Sequence, residues 1–299
     1  MAKTLQVIHA AANNPDELIV AGEVADIRFA KGESLSLLGS KLFVQLMERA
    51  GAKICDQREH RAMIADLNWA KRDLVEIEDT IRELQRSIVE LTVDTARGKV
   101  RKSGPILSDV ERDLDAATGE ISWEFSKTFR SVVRNSKHWA AVSSRAIMAM
   151  DSKYAVWLYQ LLALRAGRKQ VAHEFELAEL RERLDANAKS LRIWDNLKRW
   201  CIEPAVAEIN HLTGIMVTWE PIKRGRSVIA VRFTARRKEQ LEIEEAEAEL
   251  ARTRVGRKER REGIVESIEA RRDEIRDEIK KSLASVENTL ADLDDNINF

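Results

Sequence analysis

At 299 residues the chain is long enough for two domains, and a 44% apolar content suffices for ordinary cores. The net charge is zero but segregated: residues 237–299 hold 13 basic and 18 acidic residues, leaving 37 basic and 32 acidic in the first 236. A basic body with an acidic tail favours an anionic partner such as nucleic acid. The two cysteines, Cys55 and Cys201, lie too far apart in sequence to read as a disulfide framework. There is no basic-then-apolar leader and no apolar run of ~18 residues, so the reading is a bacterial cytoplasmic protein without a membrane partner.

In chain order, residues 1–32 mix short apolar runs with Asn13-Asn14-Pro15-Asp16 and read as an irregular arm. Leu35, Leu38, Leu42, Phe43, Leu46 and Met47 recur at helical spacing, and Gly51 closes that helix. A second helix is expected over residues 73–91, with Ile77, Ile81, Leu84, Ile88 and Leu91 buried and Arg82, Gln85 and Arg86 outside. Residues 92–108 read as a basic hairpin bearing Arg97, Lys99, Arg101 and Lys102, and Ile121, Trp123 and Phe125 alternate as in a strand. Asp151-Ser152 cap a helix running to residue 165. A short strand at 171–175, a helix at 176–184 and a turn at Asp185-Ala186-Asn187 come next. A long helix then spans 190–212, with a kink or break expected at Pro204. Two β-rich runs, 215–220 and 228–234, flank Pro221-Ile222-Lys223-Arg224-Gly225-Arg226. Helix, strand, helix, turn, helix, strand, basic loop, strand is the order of a winged helix-turn-helix. From residue 237 onward an amphipathic helical tail is expected, as a coiled-coil segment or packed back on the body.

Signals for catalysis are weak. None of the five histidines pairs with Cys, Asp or Glu at metal-ligand spacing, and Cys55 with His60 is a poor zinc signal, so no metal is assigned. No Walker loop, GxGxxG or GxSxG motif is present, and no cofactor is expected. Tyr154 and Tyr159 invite a strand-nicking reading, but the His-apolar-His metal pair such chemistry needs is missing. Both are read as facing the interior, and the chain as not an enzyme.

The candidate DNA-binding residues fall in four places. On the 190–212 helix Leu197, Cys201, Ala205, Ile209 and Leu212 form a buried stripe, while Lys189, Ser190, Arg192, Asn196, Lys198 and Arg199 gather in its first half. Arg can bond guanine O6 and N7, Asn can bond adenine N6 and N7, and a helix N-terminus suits a phosphate. An ordinary solvated helix end explains the same charges. Lys223, Arg224 and Arg226 on a tight turn suit phosphate or minor-groove contact. In the first domain Arg82, Gln85 and Arg86 are a weaker reader, and Lys99 and Arg101 a second basic wing; a solvated helix face and a loop are the competing explanation.

Three segments share order and spacing with a known family. Ser152-Lys153-Tyr154-Ala155 followed by Leu158-Tyr159-Gln160-Leu161-Leu162 is the first. Trp194, Leu197-Lys198-Arg199, Pro204-Ala205 and Glu208-Ile209-Asn210 make the second. Lys223-Arg224-Gly225-Arg226 with Val228 to Phe233 is the third. Over residues 150–236 the chain resembles the iteron-binding plasmid replication initiator (Rep) proteins. The resemblance thins over 33–149 and ends at 237. It implies an α+β, mostly helical fold of two tandem winged-helix domains, residues 33–148 (dimerisation and DNA) and 149–236 (origin recognition), then a C-terminal helical extension, 237–299. It further implies binding of direct repeats in double-stranded origin DNA and opening of adjacent AT-rich DNA. Repression of its own gene as a homodimer, and host initiator and helicase proteins as partners, are implied too. Trp194 and Trp200 replace more usual residues of the reading helix, which bears on the base sequence read. A winged-helix transcription regulator and a coiled-coil adaptor are the alternatives.

Overall fold

The opening 32 residues are not an irregular arm. In the computed structural model, which describes residues 3–11, 17–30, 34–55, 59–67, 74–95, 98–112, 119–166 and 172–261, they contribute to the core. α1 (Lys3–Ala11) buries Thr4, Leu5 and Ile8, and β1 (Leu18–Ala21) is buried along its whole length. Leu18-Ile19-Val20-Ala21 is a short continuous apolar run, the pattern of a strand covered on both faces, and it pairs antiparallel with residues 139–142. α2 (Gly22–Ala25) and β2 (Arg28–Phe29) follow. The turn read at Asn13–Asp16, the Arg97 cation and the tail beyond residue 261 lie outside the described residues.

α3 (Leu37–Ala50) starts at Ser36, whose hydroxyl accepts from the Gly39 N–H at 2.9 Å and donates to Glu83 at 2.7 Å. It ends at Gly51, where φ is 47°, a conformation that favours glycine. β3 (His60–Met63), a 3₁₀ turn (Ile64–Leu67) and α4 (Leu74–Arg86) come next. The helix predicted to reach Leu91 stops at Arg86, and the chain turns into β4 (Ile88–Thr95). Ile88 and Leu91 do continue the helical spacing, but Val89, Leu91 and Val93 alternate into the core, and that period of two prevails. β4 pairs with β5 (Gly98–Pro105) and, on its other edge, with β2. β6 (Leu107–Arg112) and β7 (Glu120–Phe125) form a second sheet of order β3-β7-β6. α5 (Lys127–Asn135), β8 (Trp139–Val142) and α6 (Ser144–Ala149) close this half. Phe129 anchors its core, stacked on Phe125 at 4.7 Å and edge-on to Phe43 at 5.6 Å.

The second half repeats the plan. α7 (Lys153–Ala166) begins where the Ser152 hydroxyl accepts from the Tyr154 N–H at 3.2 Å, the capping expected of Asp151-Ser152. β9 (Ala172–Glu176), α8 (Leu177–Leu184), α9 (Trp194–Leu197), α10 (Glu203–Leu212), β10 (Ile215–Arg224) and β11 (Ser227–Arg237) follow. The sheet order β10-β11-β9 matches β6-β7-β3, so α3, β3, α4, β6 and β7 correspond to α7, β9, α10, β10 and β11. Each half is a winged helix. The first differs by carrying a 3₁₀ turn where the second has α8, and by the inserted β4–β5 hairpin.

The halves are joined through residues 26–29. Phe29 meets Trp157 edge-on at 5.3 Å, Arg28 pairs with Glu182 at 3.3 Å, and Asp26 pairs with Arg183 and, at 3.8 Å, with Arg165. After β11 the chain folds back: the Lys238 N–H donates to Gly214 O at 3.0 Å, and α11 (Gln240–Ala251) places Glu249 3.6 Å from His211. Arg236 grips Glu242 through two bonds of 2.8 Å, holding that carboxyl down at about 2. The chain divides at residue 250, and the described part of the second unit contains α12 (Arg257–Arg261). No helix among the described residues is long and apolar enough to cross a membrane.

Candidate nucleic-acid interface

The second winged helix positions its reader with buried polar contacts. α8 ends at Asp185, in the left-handed region at φ 52°, whose carboxylate takes a 2.7 Å bond from Lys153. The chain then makes a 3₁₀ turn, Lys189–Arg192, before Ile193 goes extended. Arg181 of α8 clamps this turn, donating to Leu191 O at 3.0 Å and Arg192 O at 2.9 Å. Burial, with Arg192 close by, holds the Arg181 guanidinium below its ordinary value. The reading helix therefore starts at Trp194, not at Ser190.

Pro204 does not break it. Five residues, Lys198–Ile202, form a π turn that leads directly into α10, with Pro204 in its first turn. Proline has no N–H to donate and its ring crowds the carbonyl four residues back; the wider turn relieves both. Leu197, Cys201, Ile202, Ala205, Ile209 and Leu212 are buried, as the stripe predicts, with Ile202 added by the extra residue of the π turn. Glu208, also buried, accepts from the Asp151 N–H at 2.9 Å and the Ser152 N–H at 3.3 Å, tying α10 to the start of α7. Burial pushes the Cys201 thiol up to about 11 and the Tyr154 hydroxyl bonded to it to about 12. Iodoacetamide at pH 8 is thus expected to leave Cys201 unlabelled in the native protein and to label it in urea; rapid native labelling would contradict this packing. Tyr159 is buried, accepts from the Ser143 N–H at 3.0 Å and is likewise raised to about 12.

On the outward side Lys189, Ser190, Arg192 and Arg199 are exposed. Asn196 is half-buried and its amide donates to Ser190 O at 2.9 Å, so it shapes the turn as well as facing outward. Lys198 is paired with Glu203 at 3.5 Å. Sequence reasoning missed Ile193, a large apolar side chain left exposed; Trp200, marked there as an unusual residue of the reading helix, is exposed too. The position of Trp200 off the buried stripe is the sequence signal of that exposure. Arg181 gave no such signal.

The wing is longer than its sequence pattern. β10 and β11 pair up to Arg224 and Ser227, so most of the basic loop is strand and the turn is Gly225-Arg226, with Gly225 at φ 62°. Lys223, Arg224 and Arg226 at the tip are exposed and form no ion pair with a described residue. Lower on the hairpin Arg232 is occupied by Glu174 and Glu220, at 2.8 and 2.6 Å. Trp219 of β10 lies 6.2 Å from Trp194, holding wing and reading helix together.

The first winged helix presents different chemistry. Arg82 on α4 is paired with Glu78 and Asp79, each at 3.4 Å; Gln85 is half-buried and Arg86 is exposed. α4 also carries Glu76 and Glu83, so the helix is net acidic. Lys99 and Arg101 are exposed on the inserted hairpin, Arg101 paired with Glu90 at 3.3 Å. That hairpin is not the wing by topology. The wing position belongs to β6 and β7, whose connection, residues 113–118, reads Asp-Leu-Asp-Ala-Ala-Thr and has no cation. No group of three His, Cys, Asp or Glu residues that could hold a metal ion occurs among the described residues.

Comparisons with known proteins agree with this architecture. The family model described as "Initiator Replication protein, WH1" matches residues 25–163, and that described as "Initiator Rep protein, WH2" matches residues 176–235. The crystal structure of Pi initiator protein in complex with iteron DNA is similar in fold, with a TM-score of 0.54 at 17% identity, covering 76% of this chain and 99% of that chain. The WH1 domain of the replication protein MSBI1.176 aligns at a TM-score of 0.26 and 11% identity, covering 46% of this chain and 92% of that one. No curated protein matches the sequence.

Proposed function

The chain belongs to the initiator replication protein family and carries both of its winged-helix regions; from that premise we propose that it starts plasmid replication by binding direct repeats in origin DNA through its second domain. One observation carries this reading: exposed cations that form no ion pair with a described residue converge on the start of one helix and the tip of one hairpin, joined by the Trp194–Trp219 contact. The reading helix and the 3₁₀ turn before it enter the major groove, with Arg199 of the helix and Arg192 of the turn toward base edges; Lys189 and Ser190 of the turn meet the backbone, and Lys223, Arg224 and Arg226 hold phosphates. Pi initiator protein, similar in fold, was crystallised on iteron DNA. The protein acts by binding and deforming DNA, with no catalytic step and no cofactor.

The acid-rich α4 and the cation-free wing connection favour protein contact over base reading in the first domain. On this reading that domain pairs two copies, the dimer represses the protein's own gene, and host initiator and helicase proteins take over the opened origin in the cytoplasm.

Footprinting on the non-coding DNA upstream of the gene tests the proposal. Regularly spaced protection over direct repeats is expected. A single protected inverted repeat would favour the transcription regulator instead. Arg192→Ala should cost about 1–3 kcal/mol at one base pair and relax preference there, whereas Arg224→Ala should weaken all sequences alike. Asn196→Ala is a poorer probe, because it also loosens the turn.

A further inference from the structure

Among the exposed apolar side chains of the second domain, Ile193 at 59% and Trp200 at 60% stand at the reading end of its helix. Single exposed apolar residues are ordinary, but the position of these two is specific. Leu197, Cys201 and Ile202 already fill the inner face. Trp200 points the other way, on the side that carries Arg199 and Glu203, and the Arg199 guanidinium lies 5.1 Å from its ring centre. Trp194, six residues earlier, shows the contrast: it is half-buried and docked on Trp219. The same segment of chain, residues 189–199, carries the cations Lys189, Arg192, Lys198 and Arg199. The occupant of this patch must be polyanionic and yet offer an apolar contact. The major groove of duplex DNA meets both conditions, and its apolar feature is the thymine C5-methyl group.

We propose that Trp200 is a specificity-determining residue that reads a thymine methyl in the major groove. The inference rests on the DNA-binding reading of the second domain and adds an apolar contact to its hydrogen-bonding ones. The π turn contributes, because its extra residue lets Arg199 and Trp200 both face outward while Cys201 and Ile202 both face inward.

The test uses the full chain and a duplex of the protected repeat, with each thymine replaced in turn by deoxyuridine, which removes only the methyl. One or two positions should lose about fourfold in affinity, the worth of one buried methyl. In Trp200→Ala the thymine and deoxyuridine duplexes should bind equally at those positions, and Trp200→Phe should restore part of the difference. Since Trp200 is exposed, the melting curve of the Ala variant should match the parent's. Equal binding of all duplexes by the parent protein, or an undiminished deoxyuridine effect in Trp200→Ala, would overturn the methyl contact while leaving repeat binding intact. Failure of the parent protein to bind the unsubstituted repeat at low salt would instead overturn the origin-binding reading and this contact with it.

Discussion

Raising salt from 50 to 200 mM should weaken binding of this protein to its repeat about 10²-fold. Each phosphate neutralised by a cation releases counterion, and log K falls by roughly 0.9 per contact for each unit of log salt. Lys189, Lys223, Arg224 and Arg226, the cations that meet the backbone, are exposed on the reading half and wing tip and form no ion pair with a described residue; Arg192 and Arg199 face base edges. Four such backbone contacts give a slope of about −3.6. Lys198, Arg232 and Arg236 are left out because each already faces a carboxylate. Anisotropy titrations at several salt concentrations measure the slope. A value steeper than about −8 would mean that the paired cations or the first domain also meet phosphate, and one shallower than about −2 would remove the proposed interface. Arg224→Ala should make the slope shallower by about 1.

Trp157→Ala should lower the unfolding free energy by about 3–5 kcal/mol. Trp157 is 2% exposed, sits in the middle of α7 and meets Phe29 of the first half edge-on. Its removal opens a cavity where the two winged helices join. Its indole N–H is buried without a hydrogen-bond partner among the described residues. Trp157→Phe keeps an aromatic ring against Phe29 and deletes that unpaired donor, so its cost should be markedly smaller. Urea titration separates the two, with the midpoint shifting and the slope unchanged. Equal losses for Ala and Phe would mean that the indole nitrogen makes a stabilising bond.

The second winged helix was legible because its elements are short, punctuated and alternate in period. Asp185-Ala186-Asn187 marks the turn, Gly225 marks the hairpin, and Leu197 to Leu212 gives one clean stripe. The first was harder for a physical reason. Ile77 to Leu91 satisfies a helical period throughout, while Val89-Leu91-Val93 satisfies a strand period, and only tertiary pairing with β2 and β5 decides between them. β1 escaped notice because its partner lies about 120 residues away. The charges of the candidate interface could be read from sequence, but their availability could not. Arg82 and Arg101 look like Arg192 and Arg224 in a sequence; they differ in having carboxylates close enough to pair. Trp200 was legible as an unusual residue, and only the burial of Cys201 and Ile202 behind it shows which way it faces.

The π turn before Pro204 also sets a rotational phase. α10 is fixed to the body by Glu208, Ile209 and Leu212, whereas the base-facing side chains lie before the turn and in its first half. Losing one residue between 198 and 202, together with the proline, would restore regular α-helix and rotate the reading half by about 100° around its axis. Where the residue lost is the buried Ile202, that double change would turn a different set of side chains toward the groove, re-aiming the protein at new DNA without removing any interface residue.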